Sequence, residues 1–173
     1  MRKLIMFVLL LAGTVEARTV AMPDIFTALK LKSAQRPGLP GTYDLTSLSP
    51  SGQTLRFVAQ ASVDPNSNRV TTFTLTSGVS PNESDADLAG STGSIVGDFL
   101  SLPKVCFGTS KDEIDLAGKF FIDIFGPDAP TLTDEATYSK TFGKTLYEFA
   151  YSASGLTLKM HTSELSGDIS CTL

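Results

Sequence analysis

Histidine and tryptophan are scarce in this 173-residue chain, which has one histidine, two cysteines and no tryptophan. A serine–histidine–acid triad would have to use His161, and no G-x-S-x-G sequence supplies the serine. His161 alternates with Leu158 and Met160, so we expect it to face solvent. A zinc site needs three or four nitrogen or sulfur ligands, which one histidine and two cysteines able to pair do not provide. We therefore expect no enzyme activity, no catalytic residues, no metal and no cofactor.

Basic residues are outnumbered by acidic ones, 14 to 18, for a net charge of −4. Nucleic acids and anionic membrane surfaces attract proteins with a basic footprint, so we expect neither as a partner.

Long apolar runs are also missing. The N-terminal run at 4–12, LIMFVLLLA, is much shorter than the ~20 residues of a membrane-spanning helix. The sequence thus predicts no stable membrane span.

Residues 1–17 have the three parts of a secretory signal peptide. These parts are the basic pair Arg2-Lys3, the apolar run 4–12 and the small-x-small end Val15-Glu16-Ala17. We expect cleavage after Ala17, and Thr19-Val20-Ala21 offers a second site. Position 14 is threonine and not cysteine, so no thiol is available for lipidation there. The prediction is a secreted protein, periplasmic or extracellular after cleavage.

Cys106 and Cys171 are the two cysteines. In an exported protein an even number of cysteines favours a disulfide, and the alternative is two buried, inert thiols. A bond between them would close a long loop and contribute about 4 kcal/mol in the chain-entropy model. We expect the disulfide, with no redox role because the chain has no C-x-x-C sequence.

Short alternating segments separated by polar turns predict an antiparallel sheet over 41–173, in a single β-rich domain. The strand patterns cover 41–45, 54–61, 70–76, 145–151, 156–160 and 168–173. The expected fold class is mainly β, a barrel-like antiparallel sheet with one packed helix. Residues 18–40 are predicted to form a short N-terminal helix, over 23–34, followed by a linker of proline and glycine.

The packed helix is predicted over 132–143. Tyr138 and Phe142 lie at i,i+4 spacing, acceptors for an N-cap precede them, and Gly143 is a natural stop. Two further strands are expected at 94–102 and 105–107, separated by Pro103. Residues 111–125 fit either period. We interpret 111–117 as a turn or short helix and 118–125 as a strand, because Gly118 interrupts the helical pattern.

The segment 78–93 is small, polar and acidic, and is predicted to be an exposed loop. Asn82-Glu83-Ser84 fits the N-glycosylation sequence, which makes Asn82 a candidate glycosylation site. Asp85 and Asp87 resemble the start of an EF-hand loop, but Val96 stands where its bidentate glutamate belongs. A solvated acidic loop is the interpretation, with a weak calcium site as the alternative.

The opening of the sheet, Gly41-Thr42-Tyr43-x-Leu45, resembles the G-x-W/Y-x-L first strand of META domains, the HslJ-like group. The later chain is similar as well: Glu135, Tyr151, Gly155 and Leu156-x-Leu158 follow that family's order of short helix, aromatic strand, glycine turn and strand. The resemblance covers about 41–162. It implies a compact, barrel-like β fold with a helix, exported and without an established catalytic site.

Gly41-x-Tyr43 also resembles the G-x-W motif of lipocalins, and a bond from a middle strand to the C-terminus is similar to a lipocalin disulfide. A calycin barrel implies a ligand cavity lined by aromatic side chains. The residues expected there are Tyr43, Phe57, Phe73 and Phe149. The order of a helix before the last hairpin favours the META interpretation.

The sequence therefore predicts a secreted, non-enzymatic interaction or envelope-associated protein of META type. One alternative is a calycin-like carrier of a small apolar ligand. Another is a secreted inhibitor or effector that acts through the exposed loop at 78–93. The expected partner is accordingly another protein or a small apolar molecule.

Overall fold

The structure is a computed structural model that describes residues 18–48, 52, 54–78, 96–97, 99–125, 135–152, 155–165 and 169–173. The predicted signal peptide and the loop at 79–93, which contains Asn82, Asp85 and Asp87, lie outside these residues. Helices and strands alternate irregularly along the described chain. In chain order they are β1 Arg18–Ala21, α1 Met22–Ala28, β2 Lys32–Gln35, β3 Thr42–Leu48, β4 Thr54–Val63, β5 Val70–Gly78, α2 Leu102–Cys106, α3 Lys111–Phe125, β6 Ala136–Phe142, β7 Thr145–Ser152, β8 Gly155–Thr162 and β9 Ile169–Thr172.

Seven strands form one antiparallel sheet in the order β2-β3-β4-β5-β8-β7-β6. The predicted fold class, mainly β and antiparallel, is confirmed. The expectation of a barrel is corrected, because within the described part of the chain the sheet stays open, with β2 and β6 at its two ends. Two meanders, β2 to β5 and β6 to β8, meet side by side at β5 and β8.

Strict alternation along the strands creates one apolar face. A row of paired residues crosses the sheet on that face: Tyr43, Ala59, Leu75, Leu158 and Phe149. All five are buried. Their neighbours along each strand point to the other face, where polar side chains such as threonines dominate. The hydrophobic core therefore lies on one side of the sheet.

Helices α1 and α3 cover this apolar face. Phe26 of α1 packs edge-on against Tyr43, with 5.1 Å between ring centroids. Phe121 of α3 packs on Phe149, with 5.2 Å between centroids. Since Tyr43 and Phe149 belong to the same row of the sheet, both helices lie on the same side. The fold is a helical layer on one face of an open sheet.

The N-terminal residues are part of this fold. The predicted helix is confirmed but shorter, Met22–Ala28, with proline in its first turn. Lys30 then takes a positive φ of 59°, and Lys32–Gln35 becomes the edge strand β2. Strand β1 pairs in parallel with β9 in a separate two-stranded sheet. Residues 18–40 thus supply two strands as well as the helix.

The helix predicted over 132–143 is wrong where the structure describes it, because Ala136–Phe142 is the strand β6. All seven of its residues pair with β7, and the two strands are joined by the two-residue turn Gly143-Lys144. Tyr138 and Phe142 are four residues apart, a spacing that puts side chains on one face of a strand as well as of a helix. The correction removes the helix-before-hairpin order that favoured META.

The strand predicted over 118–125 is also wrong, since α3 continues as one helix from Lys111 to Phe125. Ser110 and Glu113 form a capping box at its start: Glu113 Oε2 accepts hydrogen bonds from Ser110 N–H at 2.8 Å and from its hydroxyl at 2.9 Å. The apolar residues 117, 120, 121, 124 and 125 then share one helical face. That packing outweighs the ~1 kcal/mol that Gly118 costs in a helix.

The two strands predicted at 94–102 and 105–107 are corrected in the same direction. The described residues of 96–100 form a helical turn, in which Leu100 N–H donates to Val96 O at 2.8 Å. Residues 102–106 form α2. Pro103 lies in its first turn, where the missing N–H has no helical partner to lose. Proline therefore marks a helix start and not a strand end.

Candidate functional site

A groove lies between the outer side of α3 and the helical turn at 96–100. We call it the α3 groove; it has a volume of about 440 Å³ and is broadly open to solvent. Its lining is mostly apolar. The lining residues are Gly97, Leu100, Ile114, Asp115, Gly118, Lys119, Ile122 and Asp123.

The helical period explains why α3 has two apolar sides. One side carries the rings that pack on the sheet. Residues 114, 118 and 122 recur at i,i+4 on another side and line the groove. Ile122 is 61 % exposed there, although isoleucine is among the residue types most often buried. Leu100 forms a buried part of the opposite wall.

Two glycines widen the groove. Gly118 lies in the middle of α3 and Gly97 lies in the facing turn. A Cβ built on either glycine would meet no heavy atom of the described residues within 4 Å. The packing of the described chain therefore does not require glycine at position 118. The groove is wide at position 118 because glycine has no side chain there, although alanine is the better helix former.

Charged pairs flank the apolar floor. Lys111 bonds to Asp115, and Lys119 Nζ lies 2.9 Å from Asp123 Oδ1, both at i,i+4 along α3. The hydrogen bond from Lys111 to Asp115, together with their attraction, raises the pKa of Lys111. These pairs are exposed and add little stability. They place both signs of charge along one rim of the groove.

The capping box fixes the start of α3 against the β6–β7 turn. The Glu113 side chain lies where a Cβ on Gly143 would be. Beneath it, the hydroxyls of Thr109 and Thr145 are 2.9 Å apart and buried. Burial, and secondly the charge of Glu113, raise the pKa of Tyr147. Its hydroxyl is buried and has no hydrogen-bond partner among the described residues.

The four aromatic residues predicted to line a ligand cavity are all buried in the packed core. Tyr43 contacts Phe26, while Phe73 stacks on Phe99 with 5.4 Å between ring centroids. Phe149 contacts three rings of α3, and Phe57 lies on the same face of the sheet. The structure thus brings the four onto one face. A ligand touching them would have to displace these ring contacts.

The lone histidine lies on the polar face of the sheet, as the alternation predicts. His161 is exposed, and its Nδ1 is 2.8 Å from the hydroxyl of Thr72 on the neighbouring strand. Across the described residues, no group of three His, Cys, Asp or Glu side chains is placed to hold a metal ion. The described histidine is therefore a partner in a cross-strand hydrogen bond.

The predicted disulfide is present: Cys106 of α2 bonds to Cys171 of β9, with 4.9 Å between their Cα atoms. Both cysteines are buried. The bond joins the helical layer to the two-stranded sheet formed by β1 and β9. None of the described helices has the length and apolar character needed to cross a membrane.

Sequence reasoning missed the α3 groove, although a signal for it exists. Ile114, Gly118 and Ile122 follow i,i+4 spacing beside a second apolar series at 117, 121 and 124. Two adjacent apolar series in one helix indicate one that is apolar on more than its core side. The strand interpretation of 118–125 concealed this pattern.

Comparisons with known proteins add no relative. No protein-family model matches this chain, no curated protein matches it, and no solved structure matches it.

Proposed function

We propose that this protein is an exported, non-enzymatic binding protein that holds an apolar side chain of a protein partner in the α3 groove. The observation that carries the proposal is Ile122, 61 % exposed beside an apolar groove of about 440 Å³. This keeps the expectation of a secreted or envelope-associated interaction protein of META type and gives it a surface.

The exposed apolar area supplies the energy for binding. Burying an isoleucine or leucine side chain fully is worth about 1.5–3 kcal/mol. Ile122 is largely exposed and Leu100 already forms a firm wall, so an inserted apolar group gains contact with both. Contiguous apolar surface rimmed by polar residues is typical of protein interaction sites.

Gly118 adds an independent argument. A glycine in the middle of a helix costs about 0.5–1 kcal/mol relative to alanine. Nothing within the described chain approaches its missing Cβ. The open space therefore serves an occupant from outside, which can contact the helix backbone over Gly118. The charged pairs along the rim would fix the orientation of that occupant.

A small apolar ligand is the second candidate, because pockets for such ligands measure about 300–1,000 Å³. The α3 groove falls in this range at about 440 Å³. Ligand pockets enclose most of their ligand, however, whereas this groove is open along one side. An open groove suits a side chain whose backbone remains outside. We therefore favour the protein partner over the calycin-like carrier.

The third candidate, an inhibitor or effector acting through the loop at 78–93, depends on residues almost wholly outside the described part of the chain. No described contact favours it.

A selection of displayed peptides tests the proposal. The oxidised protein is immobilised, and a library of short random peptides is selected on it, with the Gly118→Leu variant used to remove peptides that bind elsewhere. We expect enriched peptides that share one bulky apolar residue. Their affinity should fall at least about tenfold for Ile122→Gln, because 1.4 kcal/mol corresponds to a factor of ten.

Leu48→Gln is the matched control. Leu48 is 70 % exposed and lies at the end of β3, away from the groove lining. Its substitution should leave peptide affinity unchanged. No enrichment over the Gly118→Leu variant, or an equal loss in both glutamine variants, would contradict the proposal. Peptide binding that a small apolar dye such as anilinonaphthalene sulfonate displaces at low concentration would favour the carrier instead.

A further inference from the structure

We propose that two copies of this protein pair edge to edge through β6, in antiparallel orientation about a twofold axis at Ser139, so that their sheets join into one. Strand β6 is an exposed edge whose residues complement themselves when one copy is turned to face another. None of the β6 residues lines the α3 groove, so this surface and the proposed binding site can be occupied independently.

Strand β6 forms one end of the seven-stranded sheet. All of its residues, Ala136–Phe142, pair with β7 on one side, and within the described part of the chain no strand pairs with its other side. Such an edge presents backbone groups to which another strand can bind. Strand β2, at the opposite end of the sheet, has only four residues, and short edge strands resist such pairing. The longer edge β6 is therefore the better docking strand.

The turn between β6 and β7 determines which backbone groups of β6 point away from β7. It has two residues, 143–144, and the first has a φ of 57°. In a two-residue turn of this kind, the C=O of Phe142 accepts a hydrogen bond from the N–H of Thr145. Bonded and non-bonded pairs alternate along an antiparallel ladder, so residues 138 and 140 also bond to β7. The backbone groups that point outward therefore belong to residues 137, 139 and 141.

These outward groups match those of a second copy. In a pair centred on Ser139, this residue faces itself, and Thr137 faces Thr141 of the second copy. Each outward N–H then meets an outward C=O of the other copy. The side chains in these pairs are all hydroxyls, and such cross-strand pairs stabilise antiparallel strands. Centring the pair on residue 138 or 140 would move one outward residue beyond the opposite strand, so the register is specific.

The charge on this edge fits the same register. Lys140 lies opposite Tyr138 of the second copy, so the two lysines do not face each other directly. The Nζ of Lys140 lies 5.8 Å and 5.4 Å from the ring centroids of Phe120 and Phe142. A tyrosine ring from the second copy adds aromatic surface beside the same cation, which is a favourable contact. Centring the pair on residue 140 would instead oppose two like charges.

The oligomeric state of the oxidised protein tests the proposal. A single pair of strands makes a small interface, so we expect monomer and dimer in equilibrium. Sedimentation equilibrium from micromolar to millimolar concentration should show the dimer fraction rising with concentration. A chain that stays monomeric throughout would overturn the proposal and leave the edge to an extended segment of another protein.

Proline at position 139 separates this edge from other contact surfaces. The N–H of Ser139 points outward, so Ser139→Pro removes a bond to the second copy and none to β7. We expect the dimer dissociation constant to rise at least about tenfold. Ser139→Ala is the matched control, because it keeps the N–H, and its dimer should be close to that of the native protein. Equal dimer formation by both variants would place the contact elsewhere and overturn the proposal.

Cysteine variants test the register without proline. The central hydrogen-bonded pair holds its two Cα atoms ~5.5 Å apart, a usual separation for a disulfide. Ser139→Cys should therefore form a covalent dimer on mild oxidation. Thr137→Cys alone should not, whereas a mixture of Thr137→Cys with Thr141→Cys should. The native disulfide is buried and serves in all variants as a constant. Equal yields from Ser139→Cys and Thr137→Cys, or none from Ser139→Cys, would overturn the proposal.

Discussion

The carboxylate of Glu113 occupies the space beside Gly143, so that the first turn of α3 touches the turn between β6 and β7. Two features make this contact fit. Gly143 has a φ of 57°, in the left-handed region that favours glycine. Glu113 is held by the N–H and hydroxyl of Ser110 in the capping box. The capping box restrains Glu113 and the β6–β7 turn restrains Gly143. The contact between them therefore ties the helical layer to one end of the sheet.

Gly143→Ala should lower the free energy of unfolding by about 1.5–4 kcal/mol, because the left-handed backbone costs an L-residue about 1–2 kcal/mol and the lost cap adds about 0.5–2 kcal/mol. Gly38→Ala is the control. Gly38 also has a positive φ, 73°, but a Cβ there meets no atom of the described residues within 4 Å. Urea unfolding measures both. Equal losses would show that displacing Glu113 costs nothing.

Gly118→Ala should raise the free energy of unfolding by about 0.5–1 kcal/mol, because alanine is the better helix former and no described atom lies within 4 Å of its Cβ. The same substitution should lower the affinity of the peptides selected for the α3 groove. Urea unfolding and peptide titration give the two readings. A destabilised variant would mean that the chain itself needs glycine at this position, which would remove one support of the proposed function.

Replacing Cys106 and Cys171 together by alanine should lower the free energy of unfolding by about 4 kcal/mol, since the bond spans 65 residues and restricts the unfolded chain. Thermal unfolding of the native protein with and without a reducing agent is the companion measurement. The reducing agent should lower the Tm of the native protein and leave the Tm of the double variant unchanged. An equal shift in both would point to another effect of the reagent.

Tyr147→Phe should leave stability unchanged or raise it by about 1 kcal/mol, because its buried hydroxyl has no hydrogen-bond partner within the described residues. Thr145→Val should have the opposite effect, a loss of about 1–2 kcal/mol, because it leaves the buried hydroxyl of Thr109 without its partner. Urea unfolding compares the two. A clear loss in Tyr147→Phe would reveal a partner for the hydroxyl.

Stability should fall as the pH rises above about 10. The folded pKa of Tyr147 lies above its ordinary value of 10.0, so the unfolded chain releases this proton first. The stability contributed by this pKa difference is therefore fully present below pH 10 and is lost as the pH rises through the folded pKa. Urea unfolding between pH 8 and 11 should show a shallower decline in Tyr147→Phe. Parallel curves would assign the decline to other groups.

The sequence predicted the strands well where each residue alternates with its neighbour. Residues 145–151 and 156–160 have a buried face and a polar or half-buried face, and both are strands in the structure. Strand neighbours that are distant in the chain could not be predicted. The pairing of Leu75 with Leu158, or of Val20 with Cys171, depends on packing in three dimensions and leaves no local pattern.

In two segments the sequence predicted a helix in place of a strand or a strand in place of a helix, because the residue pattern suits both structures. Tyr138 and Phe142 share a face in either structure, and only the turn at Gly143-Lys144 and the pairing with β7 decide for a strand. Gly118 was interpreted as a helix breaker, yet five apolar residues packed on one side keep α3 continuous. In both segments, tertiary contacts outweighed local preference.

A strand pattern can place residues on one face of a sheet but does not show what covers that face. The residues predicted to line a ligand cavity lie together on one buried face: Tyr43, Phe57, Phe73 and Phe149. The structure covers it with rings from α1, α3 and Phe99. Among the described residues, the apolar lining of the α3 groove is one layer further out, on the far side of α3.

The meeting of β5 and β8 at the centre of the sheet has a consequence for the order of folding. Thr72 and His161, which face each other there, are 89 residues apart in the chain. The hairpins on either side close much shorter loops, and entropy favours their earlier formation. We expect the two meanders to assemble separately, so that the pairing of β5 with β8 in the middle of the sheet forms last.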